Sequence, residues 1–241
     1  LFIFLETLLI IIFLIMLQNI KLLICKHGDS IMKSQNKFSG WVDSPLNRKG
    51  ITQSFLIAEN LQKNNLIPHT IFTSNLVRTI QTGEIIKNYL KYDLEIHSSW
   101  RLNEKHFGIL EGLDKTKAIQ YYGNNYIEQI KNDYYTMPYF YKNKPLIDSN
   151  LLINNSEETK IGESNNMLFK RFLPLWDKSI TNILFENKTL LIISHKYLIK
   201  SIISYLENID KHEYKNISIE DTNIIYYELN NDLNIIKKDI L

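Results

Sequence analysis

The chain has 241 residues, 44% hydrophobic and 22% charged, with a net charge of +2. That length suits one α/β domain, the composition excludes a disordered chain, and the charge is too small to argue for a nucleic-acid surface. Cys25 is the single cysteine, which leaves no intrachain disulfide and, with no spaced histidine pair, no sign of a metal site.

Residues 1–19 form an apolar leader, broken between Leu1 and Leu17 only by Glu6 and Thr7. It is short for a spanning helix and lacks a basic leading segment. Met16 would be a natural start, placing the first strand a few residues in. Three readings stay open: residues 1–15 are absent from the mature protein, they are a signal or membrane anchor, or they form a buried helix. The expected location is cytoplasmic, or organellar or membrane-associated if the leader is retained.

From Ile20 short apolar runs alternate with longer helical periods. Strands are predicted at 20–25, 69–73, 94–98, 189–194 and 223–229, and helices at 48–64, 75–91, 115–131, 164–186, 196–207 and 210–216. Strands separated by helices of this length imply parallel crossovers, hence a three-layer α/β/α fold with a mostly parallel sheet. Asn47 is expected to cap the first helix and Ser74 the second. The stretch 132–161 has no clear period and is rich in Tyr, Asn, Pro and Lys, as expected of a lid or insertion, which we place at about 105–160 within a domain of 20–241.

Two apolar strands end on a histidine: Leu22-Leu23-Ile24-Cys25 runs into Lys26-His27-Gly28, and Leu190-Leu191-Ile192-Ile193 into Ser194-His195. In a parallel sheet such residues arrive at the carboxyl edge, where ligands bind. Arg78 falls one turn into the helix after the 69–73 strand, and Glu104 follows the 94–98 strand in a polar loop. Phosphoryl transfer through histidine needs a neutral imidazole, cations on the transferring oxygens and an acid for the leaving group. These residues supply those types. Cations around His27 are expected to keep it unprotonated at neutral pH.

Lys26-His27-Gly28-Asp29-Ser30, Phe38-Ser39-Gly40-Trp41, Thr73-Ser74 with Arg78, Trp100-Arg101-Leu102-Asn103-Glu104-Lys105-His106-Phe107-Gly108 and Ser194-His195 occur in that order. Together with Leu173-Pro174-Leu175-Trp176 and Tyr227-Glu228-Leu229, the series resembles the 2,3-bisphosphoglycerate-dependent phosphoglycerate mutases of the histidine phosphatase superfamily, from about Ile20 to Lys237. The resemblance implies that His27 is the phosphorylated nucleophile, that Arg78, His195 and Lys26 hold phosphoryl oxygens, and that Glu104 moves the substrate proton. It implies further that Ser30, Ser39, Gly40, Lys105, Phe107, Lys115 and Lys131 bind phosphoglycerate. It brings 2,3-bisphosphoglycerate as primer with no metal, a small phosphorylated substrate as partner, and leaves a homo-oligomer open.

The series departs from the family at its rim. Lys26 stands for an arginine, Lys105 for another, Phe107 for a tyrosine, Lys33 for an asparagine, and Lys131-Asn132 for an arginine pair. Lys196 and Tyr197 replace Gly-Asn after His195; Lys196 joins the substrate-binding set and is expected to crowd the phosphate pocket. Three functions follow: a phosphoglycerate mutase, a histidine-type phosphatase on another phosphorylated metabolite, or a weakly catalytic phosphate-binding protein.

Overall fold

The computed structural model describes residues 20–138, 162–186 and 189–241. The expectations for the leader, and for the lid beyond Pro138, lie outside the described residues. Six strands form one sheet: β1 (Ile20–Lys26), β2 (Thr70–Thr73), β3 (Glu95–Ser98), β4 (Leu190–Ser194), β5 (Ile224–Leu229) and β6 (Ile235–Ile240), in the order β3-β2-β4-β1-β5-β6. The first four are mutually parallel, and β5 and β6 add an antiparallel edge. This is the expected α/β fold.

The strands β1 and β4 are buried along nearly their whole length, which is why both read as continuous apolar runs. Because strand side chains alternate, each strand feeds two cores. Leu23, Cys25, Leu191 and Ile193 pack against Ile57, Ala58 and Leu61 of α2 (Arg48–Lys63) and Ile86 of α3 (Val77–Leu90). Leu22, Ile24, Leu190 and Ile192 face Leu168 and Phe172 of α6 (Asn165–Leu175) and Leu198 and Ile202 of α8 (Lys196–Leu206). The preceding helices are the single turn α1 (Ile31–Ser34), α4 (Lys115–Tyr122) and α5 (Asn124–Asn132). Phe38, Phe107, Ala118, Ile127 and Ile130 make a third, smaller core under α4 and α5.

Several boundaries differ from expectation. The helix expected over 115–131 breaks at Gly123, whose φ of +85° only glycine adopts freely. That over 164–186 passes from α6, which carries Pro174 in its last turn, through a π-helical turn (Trp176–Ile180) to α7 (Thr181–Phe185). Of 210–216 only Tyr214–Asn216 is helical, a 3-10 turn. Strand β6 went unexpected: it is a largely exposed edge carrying Lys237 and Lys238, so its sequence shows no burial pattern. Asn47 does cap α2, accepting from Gly50 N at 2.8 Å. Ser74 does not cap α3, whose N-cap is Leu76; its hydroxyl turns toward the sheet edge.

Candidate active site

The two histidines meet because their strands are in register. Lys26 pairs with Ser194 across the parallel ladder, and His27 N donates to Ser194 O at 3.1 Å, extending the ladder by one bond. The next residues, His27 and His195, therefore stand side by side, ring centroids 4.8 Å apart and planes at 62°. Gly28 lets the start of α2 close on this turn: a Cβ there would lie 2.2 Å from Gly50 O.

Hydrogen bonding fixes the imidazole chemistry. His27 Nδ1 lies 2.5 Å from Gly28 O; a carbonyl only accepts, so Nδ1 carries the proton and Nε2 keeps its lone pair. His195 Nε2 meets Ser74 Oγ at 2.8 Å, while its buried Nδ1 has no partner among the described residues. Burial, then the positive charge of Arg78, holds both imidazoles well below their usual basicity, with Lys26 adding to the effect. Neutral His27 is what nucleophilic attack requires.

Arg78, on the first turn of α3, is almost fully buried. Its guanidinium donates to Gly40 O at 2.8 Å and Val42 O at 3.0 Å, so the fork fixes the Ser39–Val42 loop beside the histidines. Gly40 has φ +49°, and a Cβ there would meet the Glu111 carboxylate. Ser30 caps α1 through its hydroxyl, accepting from Lys33 N, and Ser39 is half-buried on the loop.

Glu104 follows the 3-10 turn Trp100–Leu102. Its carbonyl accepts from Trp41 Nε1 at 2.7 Å, and Arg171 of α6 binds Trp100 O, Asn103 O and Glu104 O while pairing with Glu163. Burial raises the Glu104 carboxyl above its usual value, opposed by the Lys105 N–H and the Arg78 charge. A carboxyl tuned toward neutrality can both take and return a proton.

The structure separates the remaining expected residues. Lys105 points inward, donating to Ile130 O at 2.5 Å among the Phe107 and Tyr197 rings, and desolvation lowers its pKa to about 7. Phe107 is core, packed on Phe38 and Tyr197. Burial, then the charges of Lys131, Lys33 and Lys196, lower the pKa of Lys115, so these lysines lie within electrostatic reach of it at the rim. Lys131 is paired with Glu128 at 2.9 Å, and Asn132 reaches the same carboxylate. Lys196 is the exposed first residue of α8. Lys26 is held by Asp221. Arg171 and Asp221 escaped the sequence reading, and so did the contact of Ser74, expected only as a cap and part of a motif, with His195. Arg171 alone gave a signal, a cation on the helix face shared by Leu168 and Phe172.

A model of the histidine phosphatase superfamily (branch 1) matches residues 22–238. The chain is 34% identical to the 2,3-bisphosphoglycerate-dependent phosphoglycerate mutase of Buchnera aphidicola subsp. Baizongia pistaciae, over 88% of this chain and 94% of that protein. It is 30% identical to the enzyme of that name from Staphylococcus aureus (strain JH9), over 90% and 98%. Among solved structures it is similar to a mycobacterial glucosyl-3-phosphoglycerate phosphatase in complex with VO3, with a TM-score of 0.71, 18% identity and coverage of 91% and 97%. Bacillus stearothermophilus YhfR gives a TM-score of 0.70 at 20% identity, with coverage of 89% and 93%. These two share its fold. With two neutral histidines at neighbouring strand ends, a buried arginine and a family match across almost every described element, the chain belongs to branch 1 of the histidine phosphatase superfamily.

Proposed function

We propose that the protein is a phosphoglycerate mutase that interconverts 3-phosphoglycerate and 2-phosphoglycerate through a phosphohistidine at His27. The observation that carries this reading is the neutral His27–His195 pair beside Arg78 and the raised carboxyl of Glu104. Identity of 30–34% to curated mutases over most of the chain supports the mutase over other reactions of the superfamily.

2,3-Bisphosphoglycerate supplies the priming phosphoryl group, and the unpartnered His195 Nδ1 together with the lysine rim fits such an anion. His27 Nε2 attacks phosphorus, forming a P–N bond as the P–O bond to the departing oxygen breaks. Arg78 and His195 hold the non-bridging oxygens, and Lys26 adds positive charge. In the return transfer Glu104 takes the proton of the substrate hydroxyl, whose oxygen attacks the phosphohistidine; P–O forms, P–N breaks, and His27 regains its lone pair. When the other phosphoryl group passes to His27, Glu104 returns the proton to the leaving oxygen. Ser30, Ser39 and Gly40 line the phosphoryl end in this reading. Lys115 and Lys196 meet the distal anion, with Lys131 shared with Glu128, while Lys105 and Phe107 support the pocket from behind.

One observation favours phosphate release as a second reading. Lys131 and Asn132 both engage Glu128, which loosens the distal grip and gives water time at the phosphohistidine. Purified protein with 2,3-bisphosphoglycerate and 3-phosphoglycerate, assayed together for 2-phosphoglycerate, free phosphate and acid-labile phosphohistidine, tests both. Isomer without net phosphate supports the mutase, and net phosphate supports the phosphatase. Labelling that survives His27→Ala, or no labelling at all, refutes transfer through His27.

A further inference from the structure

Lys26 occupies a demanding position with an ill-suited side chain. Its ammonium is a point charge on a four-carbon stem, whereas the planar guanidinium resembling members carry there is rigid. One side of Lys26 borders open space, a cavity of about 360 Å³ whose walls include Ile199, Ile217 and Ile225. What it does have is an ion pair with Asp221, made with most of the lysine buried.

Asp221 lies in the loop between the 3-10 turn Tyr214–Asn216 and β5. Its second oxygen accepts from Lys33 Nζ at 2.8 Å, and Gln53 Nε2 lies 3.4 Å away. Lys33 in turn bonds Asp29, and Gln53 Oε1 accepts from Asp29 N at 2.8 Å. The carboxylate is thus tied on several sides to the turn that carries His27. The following residue, Thr222, has φ +71°, a left-handed conformation that a β-branched side chain rarely adopts. The loop accepts local strain directly beside the residue that reaches Lys26.

We propose that Asp221 is a positioning residue for phosphoryl transfer, holding the Lys26 ammonium beside His27 through their ion pair and so supplying the fixed direction that a guanidinium has by itself. The proposal rests on the phosphohistidine reading above. It makes Asp221 part of a two-residue replacement for one arginine, delivered from a loop far from the motif in sequence.

The test compares the wild type with Asp221→Asn, Lys26→Arg and the double variant. It measures the rate of His27 phosphorylation by 2,3-bisphosphoglycerate, the KM for 3-phosphoglycerate, and the affinity for inorganic phosphate by calorimetry. Loss of a hydrogen bond to a charged group predicts about a tenfold slower phosphorylation in Asp221→Asn, with KM for 3-phosphoglycerate changed less than about twofold. In the Lys26→Arg background the same substitution should cost less than about twofold, because the guanidinium no longer needs a partner. Faster phosphorylation or tighter phosphate in Asp221→Asn would show a competing anion instead. Equal losses in both backgrounds would show a merely structural loop, and no loss would show no role; each overturns the proposal. A wild type that is labelled on His27 while Asp221→Asn is unaffected defeats this inference alone. A wild type that is never labelled defeats the phosphohistidine reading and the positioning role with it.

Discussion

Arg78 Nη2 donates to the carbonyl of Gly40 at 2.8 Å, so a cation that lowers the basicity of both histidines is also the strut of the Ser39–Val42 loop. Charge and scaffold reside in one side chain. Arg78→Lys keeps the charge and loses the fork to Gly40 and Val42; kcat/KM should fall about 100-fold by steady-state assay. Arg78→Met strands the buried Gly40 carbonyl and should cost about 1–3 kcal/mol in urea unfolding.

Ser74 sets the second imidazole. It meets His195 Nε2 at 2.8 Å and is itself held by Thr79 Oγ1 at 2.7 Å. Ser74→Ala should therefore reduce kcat about tenfold while leaving thermal stability within about 1.5 kcal/mol, measured by parallel kinetics and thermal melts.

Glu104 links activity to stability. Its folded pKa lies above the unfolded value of about 4.3. The folded state therefore binds its proton more tightly, and the contribution to stability present below about pH 4.3 is lost as pH rises through the folded pKa. Glu104→Gln should be more stable than the wild type at pH 8, should lose that advantage near pH 4, and should turn over about 100-fold or more slowly. Melting curves of both proteins across this range check the sign.

The histidine pair predicts the opposite slope. Both imidazoles are held well below the unfolded value of about 6.5. Stability is thus fully present above that pH and declines as pH falls toward the folded pKa, by up to about 1.4 kcal/mol per pH unit for each histidine. Urea unfolding of the wild type and of His27→Gln/His195→Gln between pH 7 and 5 should show the decline only in the wild type.

The sheet was legible because β1 and β4 are buried on both faces, so each reads as a short continuous apolar run between polar flanks. Arg78 and the histidines were legible through their places at strand and helix ends. The roles of Lys105 and Lys131 were not, since nothing in a sequence says whether a lysine turns toward Ile130 O or toward a substrate. Asp221 was hidden for a deeper reason: its partner lies 195 positions away, and a loop acid carries no periodic signal. The break at Gly123 could have been read from the glycine itself.

The parallel register of β1 and β4 has a consequence for how this site can change. His27 and His195 are placed by consecutive rungs of a backbone ladder that depends on buried aliphatic strands, not on any loop. Lysines can replace arginines, a loop can send in a carboxylate, and the start of α8 can gain bulk, without moving either ring. A one-residue slip of the ladder would be another matter, sending the inner set of a strand to its other face and parting the rings in the same step. Substrate preference can therefore drift residue by residue, while the reacting pair is inherited whole.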